Sequence, residues 1–285
     1  MSEVRHSYWR RNEGCALPSY VGGAGTSRSP ARNSSRLVVV SIAVLVAMLY
    51  PTAVALALAP NTPCKDVGFP SWFDGGPAST TTAFANAAGA EASISYVDYA
   101  LCTGSRQARG SSAWVGVGDA NDDMGNDIYQ MGFIKCVYSS YLACDGAERM
   151  FFAWGRTGGV DGCLLADHPA VPQSLGLAPT GTHSYRVIKS GSTLLFQLDG
   201  STQTSLAASN ICWPATGVRF TGETWDRGDQ IGGTVGSHQV ISSALYYKSG
   251  VWSSPAFGSC TTDYSAEYLC SKVSGQRVDL WSDRS

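Results

Sequence analysis

The chain has 285 residues, 20 Lys plus Arg against 22 Asp plus Glu, and a formal net charge of −2 at pH 7. So even a balance leaves no electrostatic footprint for nucleic acid. With 32 Gly, 15% charged residues and 11% aromatics, the composition favours an all-β extracellular domain over a helical one.

Residues 1–36 carry Arg5, Arg10, Arg11, Arg28, Arg32 and Arg36, two acids and Cys15 without hydrophobic periodicity. They read as a disordered basic tail on the cytoplasmic side. Residues 37–59 then form one unbroken apolar stretch. At ~1.5 Å per residue its length suffices to span a hydrocarbon layer of about 30 Å. Pro51 splits it into Leu37–Tyr50 and an Ala-rich remainder. The split equally fits a signal-peptide core followed by a small-x-small cleavage option at Ala55-Leu56-Ala57. Uncleaved, residues 37–59 make the membrane a partner of a single-pass, N-in protein; cleaved, the protein is secreted. Both readings place the remainder outside the cell or on its surface.

Eight cysteines lie beyond the apolar stretch: Cys64, Cys102, Cys136, Cys144, Cys163, Cys212, Cys260 and Cys270. An even number on an exported segment predicts four disulfides among ~105 connectivities. The short loops 136–144 and 260–270 are the easiest to close. No CxxC pair suggests a metal cluster.

Residues 60–92 are rich in Pro, Gly, Ser, Thr and Ala and read as a spacer that partly packs on the domain C-terminal to it. Residues 93–285 read as a disulfide-stabilised domain of short strands with turn residues between them. The expected strands are 93–101, 113–118, 127–135, 149–154, 183–189, 193–198, 216–223 and 239–247. Asp199-Gly200 after TLLFQL is a strong hairpin signal, because both residues tolerate positive φ. No 12-residue amphipathic helical pattern competes, so the expected fold is an all-β antiparallel sandwich.

The motif pair with the most chemical content is Trp114-Val115-Gly116, followed by Gln130-Met131-Gly132. Period two places Ile128, Gln130 and Gly132 on one strand face and Tyr129, Met131 and Phe133 on the other. Likewise Arg219, Thr221 and Glu223 share a face. These segments resemble the glutamic peptidases of the eqolisin type, jelly rolls related to concanavalin A-like lectins and glucanases. They are also similar to exported actinobacterial sandwich proteins without assigned activity. The resemblance implies a jelly roll in which Glu223 activates a water while the Gln130 amide holds the developing oxyanion. That would be a glutamic endopeptidase hydrolysing peptide bonds at acid pH.

The competing expectation is a surface or secreted module that binds a glycan or polypeptide without catalysis. Its binding candidates are Trp114, Trp154, Trp225 and Arg219, with Trp213 and Trp252 as further aromatic rings able to stack on sugars. The acidic loop 119–127, with Asp119, Asn121 and Asp123, is the one weak candidate for a metal. Calcium suits its oxygen ligands, but the loop departs from the EF-hand pattern at Met124 and Gln130. No other cofactor is indicated. Gly228–Gly233 reads as a bend between strands, and His168, His183 and His238 as separate surface residues. The chain has neither a G-x-S-x-G elbow nor H-E-x-x-H.

Overall fold

Alternation of apolar and polar residues carries directly into strands. The computed structural model describes residues 63–65, 73–77, 84–104, 108–119, 127–138, 140–141, 143–158, 163–263 and 268–282. The expected tail and the apolar stretch 37–59 lie outside these residues. Among the described residues, no helix is long and apolar enough to cross a membrane.

The first half of the sandwich contributes β1 (Phe73–Pro77), β2 (Gly89–Ser95), β3 (Arg109–Gly118), β4 (Ile128–Val137), β5 (Asp145–Trp154), β6 (Gln173–Leu177), β7 (Thr182–Ser190) and β8 (Thr193–Leu198). The second half adds β9 (Ser201–Ala207), β10 (Gly217–Thr224), β11 (Gly233–Thr234), β12 (Gln239–Lys248), β13 (Val251–Ser253), β14 (Cys260–Thr262), β15 (Tyr268–Ser274) and β16 (Arg277–Ser282). A seven-stranded sheet runs β14-β1-β10-β3-β4-β5-β6, and a nine-stranded sheet is ordered β11-β16-β12-β2-β7-β8-β9 with β13 and β15 attached. Among the described strands, every pairing is antiparallel except β11 with β16. This is the all-β jelly-roll sandwich expected from the sequence.

The core lies between the sheets. Ala113, Val115 and Val117 of β3 and Tyr129, Met131 and Phe133 of β4 meet Ala92 and Ile94 of β2, Tyr185 and Val187 of β7, and Phe196 of β8. Each large side chain among them contributes roughly 1.5–3 kcal/mol by leaving water. The face assignments read from period two therefore hold. A second apolar layer covers the outer face of the seven-stranded sheet and contains Trp114, Ile128, Ile134, Phe151 and Trp225.

Residues expected to be a spacer contribute to both sheets. β1 pairs with β10 and β14 in one sheet, and β2 opens at Gly89 inside the other. The β8–β9 turn is the two-residue hairpin that Asp199-Gly200 predicts. Leu198 pairs with Ser201, and φ is 47° at Asp199 and 77° at Gly200.

All eight expected cysteines are paired: Cys64–Cys102, Cys136–Cys144, Cys163–Cys212 and Cys260–Cys270. Both short loops close as anticipated. Such bonds persist in oxidising compartments, which fits an extracellular protein.

Gly228–Gly233, expected to be a simple bend, is instead part of a buried hub. Asp229 accepts hydrogen bonds from the Cys102 and Gly110 amides, both at 2.8 Å. Asp226 accepts from Lys65 N and Gly228 N, while Gln230 accepts from Ala100 N and donates to the Gly232 and Gly233 carbonyls. Three chain segments thus converge on one loop. Cys64, Cys102 and Asp226 lie within 4.8 Å of one another, but both sulfurs belong to a disulfide and offer no thiolate to a metal.

Candidate functional site

On the outer face of the seven-stranded sheet, strand register fixes where each polar side chain stands. Asp74 of β1, Glu223 of β10, Ser112 of β3, Ile134 of β4 and Arg149 of β5 form one row across the strands. Thr221, Trp114, Gly132 and Phe151 form the next row, and Arg219, Gly116, Gln130 and Ala153 the one after. Glu223 sits near the middle of the face and keeps partial access to solvent.

Glu223 is the most perturbed acid on this face. Burial, then the neighbouring Asp74 charge, push its carboxyl up to about 8. The Trp225 and Trp114 indoles and the Arg219 guanidinium act in the opposite direction. Trp225 Nε1 donates to Glu223 Oε1 at 3.2 Å, and Arg219 Nη1 pairs with Asp74 Oδ2 at 2.8 Å. Arg219 thus offsets the Asp74 charge, and the raised Glu223 carboxyl keeps its proton at pH 7.

Two glycines let the indoles lie flat on the sheet. A Cβ at Gly110 would come within 2.9 Å of the Trp225 ring, and one at Gly116 within 3.1 Å of Trp114 Cζ3. Tyr141 stands edge-on to Trp225 at 6.1 Å and edge-on to Tyr138 at 4.7 Å. Both tyrosines are half-buried and flank the Cys136–Cys144 disulfide. Sequence reasoning missed Asp74, Tyr138 and Tyr141. Asp74 was hidden in an apparent spacer; the Tyr-x-x-Tyr spacing inside a disulfide loop was a signal that could have been used.

The expected Gln130–Glu223 pair does not form. Gln130 shares its row with Arg219, four residues before Glu223, and β3 stands between their strands. At ~3.4 Å per residue and ~4.8 Å per strand the two positions are roughly 16 Å apart, beyond the reach of one shared water. The Trp114 ring, lying over Gly116, fills part of that gap. Electrostatics point the same way, because a carboxyl held protonated up to about 8 cannot take a proton from water at acid pH.

Of the remaining expected residues, Trp114, Trp225 and Arg219 stand at Glu223 and Trp154 lies elsewhere. Trp114, Trp154 and Trp225 are 2%, 8% and 3% exposed, so their rings are packed rather than open to a sugar. Trp154 belongs to the inter-sheet core and stacks on His168 at 3.6 Å, with Arg156 at 5.3 Å from its ring. Trp213 is also buried and donates to the Gly155 carbonyl. Arg219 does stand at this site, held by Asp74.

In the acidic loop, Asp119 accepts from Thr216 Oγ1 at 2.7 Å and Asp127 accepts from Thr157 N at 2.5 Å. Both therefore brace the base of the loop; Asn121 and Asp123 lie outside the described residues. His183 binds Asp199 at 2.7 Å, and His238 stacks on Trp281 at 4.0 Å.

No protein-family model and no curated protein matches the chain. Among solved structures it is similar to a Bacillus licheniformis β-glucanase, with 11% identity over 70% of this chain and 68% of that one and a TM-score of 0.29. It is also similar to a glycoside hydrolase family 16 endo-glucanase from Bacteroides ovatus, with 12% identity over 57% and 70% and a TM-score of 0.30. A Crh5 transglycosylase in complex with NAG matches at 12% identity over 78% of each chain, with a TM-score of 0.30. Likeness of this strength carries no chemistry from those proteins to this chain.

Proposed function

We propose that this chain is an exported sandwich module that binds a glycan, without catalysis, on the outer face around Glu223. The observation that carries the reading is the neutral Glu223 carboxyl set between the Trp114 and Trp225 indoles, opposite the Asp74–Arg219 ion pair. A protonated carboxyl both donates and accepts hydrogen bonds, as a sugar hydroxyl requires. The half-exposed Tyr138 and Tyr141 supply aromatic surface beside it. The four disulfides suit the oxidising compartment where polysaccharides are met.

Titration of the full chain with a panel of soluble oligosaccharides, followed by tryptophan fluorescence, tests this. Binding that weakens about tenfold in both Tyr141→Ala and Arg219→Ala is expected. Equal affinity in the wild type and both variants would remove the ligand from this face.

A second reading has one specific observation in its favour. Asp74 and Glu223 are direct cross-strand partners, so their side chains start ~5 Å apart. A protonated acid and a carboxylate on one sheet face are the two groups that glycoside hydrolysis requires. Release of reducing sugar that disappears in Glu223→Gln would replace the binding reading with this one.

A further inference from the structure

The outer face of the nine-stranded sheet carries a second arrangement, separate from the Glu223 site. Here Glu91 of β2 pairs with Arg186 of β7, which in turn faces Gln197 of β8. Neighbouring residues on these strands, Ala92, Val187 and Phe196, point into the core, so Glu91, Arg186 and Gln197 point outward. The adjacent outward row holds Tyr247 of β12, Gly89, Ile188 and Leu195, and Trp252 of β13 stands opposite Tyr247.

One row is therefore a hydrogen-bonding strip and the next an aromatic and apolar strip. Two residues of strand, ~6.8 Å, separate them. The polar strip is fixed in place. Arg186 meets Glu91 through Nε at 2.9 Å and Nη2 at 2.7 Å, and Ser184 Oγ donates to the other Glu91 oxygen at 2.7 Å. Gln197 accepts from Arg186 Nη1 at 3.4 Å and donates to Thr202 at 3.1 Å. The Arg186 guanidinium also lies 5.0 Å from the Trp252 ring centroid, and the Tyr247 and Trp252 centroids are 5.1 Å apart. Glu91, Arg186, Tyr247 and Trp252 all remain partly exposed.

We infer that this face is a second carbohydrate-binding site, and that its ligand is a neutral polysaccharide. A pyranose ring has an apolar C–H face and a hydroxyl rim. The Tyr247–Trp252 strip matches the first, and the Arg186–Glu91–Gln197 strip matches the second. Charge complementarity selects a neutral ligand, because Glu91 and Arg186 neutralise each other and leave no net field for a carboxylated or sulfated chain. Mutual hydrogen bonding has already ordered the side chains, so binding loses little rotamer entropy.

The strip crosses β13, β12, β2, β7 and β8, a span of roughly 19 Å at ~4.8 Å per strand, enough for several consecutive sugars. A polymer is therefore the matching ligand rather than a monosaccharide. Although Trp252 is available, single sugars would engage only part of the face.

Affinity electrophoresis of the full chain in native gels tests the inference, with soluble β-glucan, soluble mannan and dextran sulfate as probes. Retardation by at least one neutral polymer is expected, with at least a tenfold loss in Trp252→Ala and recovery in Trp252→Phe. Tyr247→Ala, which leaves Arg186 its partners, should lose several-fold. Leu164→Ser, on an exposed loop outside both faces, should leave this retardation unchanged.

Retardation by neither neutral polymer, or only by dextran sulfate, would overturn the inference. So would equal retardation of the wild type and Trp252→Ala. Loss confined to Tyr141→Ala and Arg219→Ala would overturn it while leaving the Glu223 reading intact. Loss confined to Trp252→Ala and Tyr247→Ala would do the reverse.

Discussion

Asp74 and Glu223 face each other across the β1–β10 ladder, and the Glu223 carboxyl is pushed up to about 8 there. Burial, then the Asp74 charge, keeps the proton on Glu223, while Arg219 pairs with Asp74.

This arrangement has a definite sign in pH. An unfolded glutamate releases its proton near ~4.3, whereas Glu223 in the fold keeps it to about 8. Between those values the native state binds more protons than the unfolded chain, so stability falls as pH rises through that window. Glu148, pushed up to about 7 chiefly by burial, adds to the same slope. Glu223→Gln should flatten the upper part of the profile and raise stability at pH 8 by ~2 kcal/mol, or about 4–8 °C in Tm. Thermal melts from pH 4 to pH 9 check it; a variant that melts lower at pH 8 would reverse the assignment of the proton.

His183 supplies the opposite sign. The Asp199 carboxylate, then the Thr180 carbonyl, raise its pKa above the usual histidine value. The ion pair therefore stabilises the fold fully below ~6.5 and fades as pH rises through the folded value. His183→Ala should lower the melting temperature at pH 5.5 and have little effect at pH 9. Because both partners are partly exposed, raising the salt concentration should shrink the difference.

Asp229 is expected to be among the costliest surface-distant substitutions. Removing its carboxylate leaves the buried Cys102 and Gly110 amides without acceptors, at ~1–3 kcal/mol each. Asp229→Ala should lose roughly 3–5 kcal/mol in denaturant unfolding, and Asp229→Asn, which keeps one acceptor oxygen, distinctly less.

The two motif glycines should behave differently. A Cβ at Gly132 would overlap the Ala113 carbonyl oxygen and crowd the Trp114 backbone, neither of which can swing away. For a Cβ at Gly116 the nearest atoms are Trp114 and Gln130 side-chain atoms at 3.1 Å and the Tyr129 carbonyl at 3.2 Å. Gly132→Ala should abolish soluble expression, whereas Gly116→Ala should fold with a loss of ~1–3 kcal/mol, as overpacking predicts. Expression yield and melting temperature read both.

These glycines show what was legible in the sequence. Strands β3, β4, β7 and β8 announce themselves by alternation, and the β8–β9 turn by Asp199-Gly200, because that information is local. FDGGP in β1, QSLGL in β6 and STQTSLA in β9 do not, since Gly, Pro, Ser and Thr resemble linker and become strand only through their partners. The site divides the same way. Period two placed Gln130 and Glu223 on the correct face, but their four-residue offset depends on long-range register, which no short motif encodes. The W-V-G and Q-x-G pattern is thus explained by packing: a tryptophan laid over one glycine, and a second glycine where two strands approach too closely for a side chain.

The Cys64–Cys102 bond also determines how the sandwich would bear a pull. Tension applied upstream of Cys64 passes through a covalent link to Cys102 and bypasses residues 65–101, which include β1 and β2. Those strands carry Asp74 and Glu91, one from each of the two faces. A pull along the chain from the N-terminal side would thus load the sulfur–sulfur bond and leave the backbone of both strands out of the line of force.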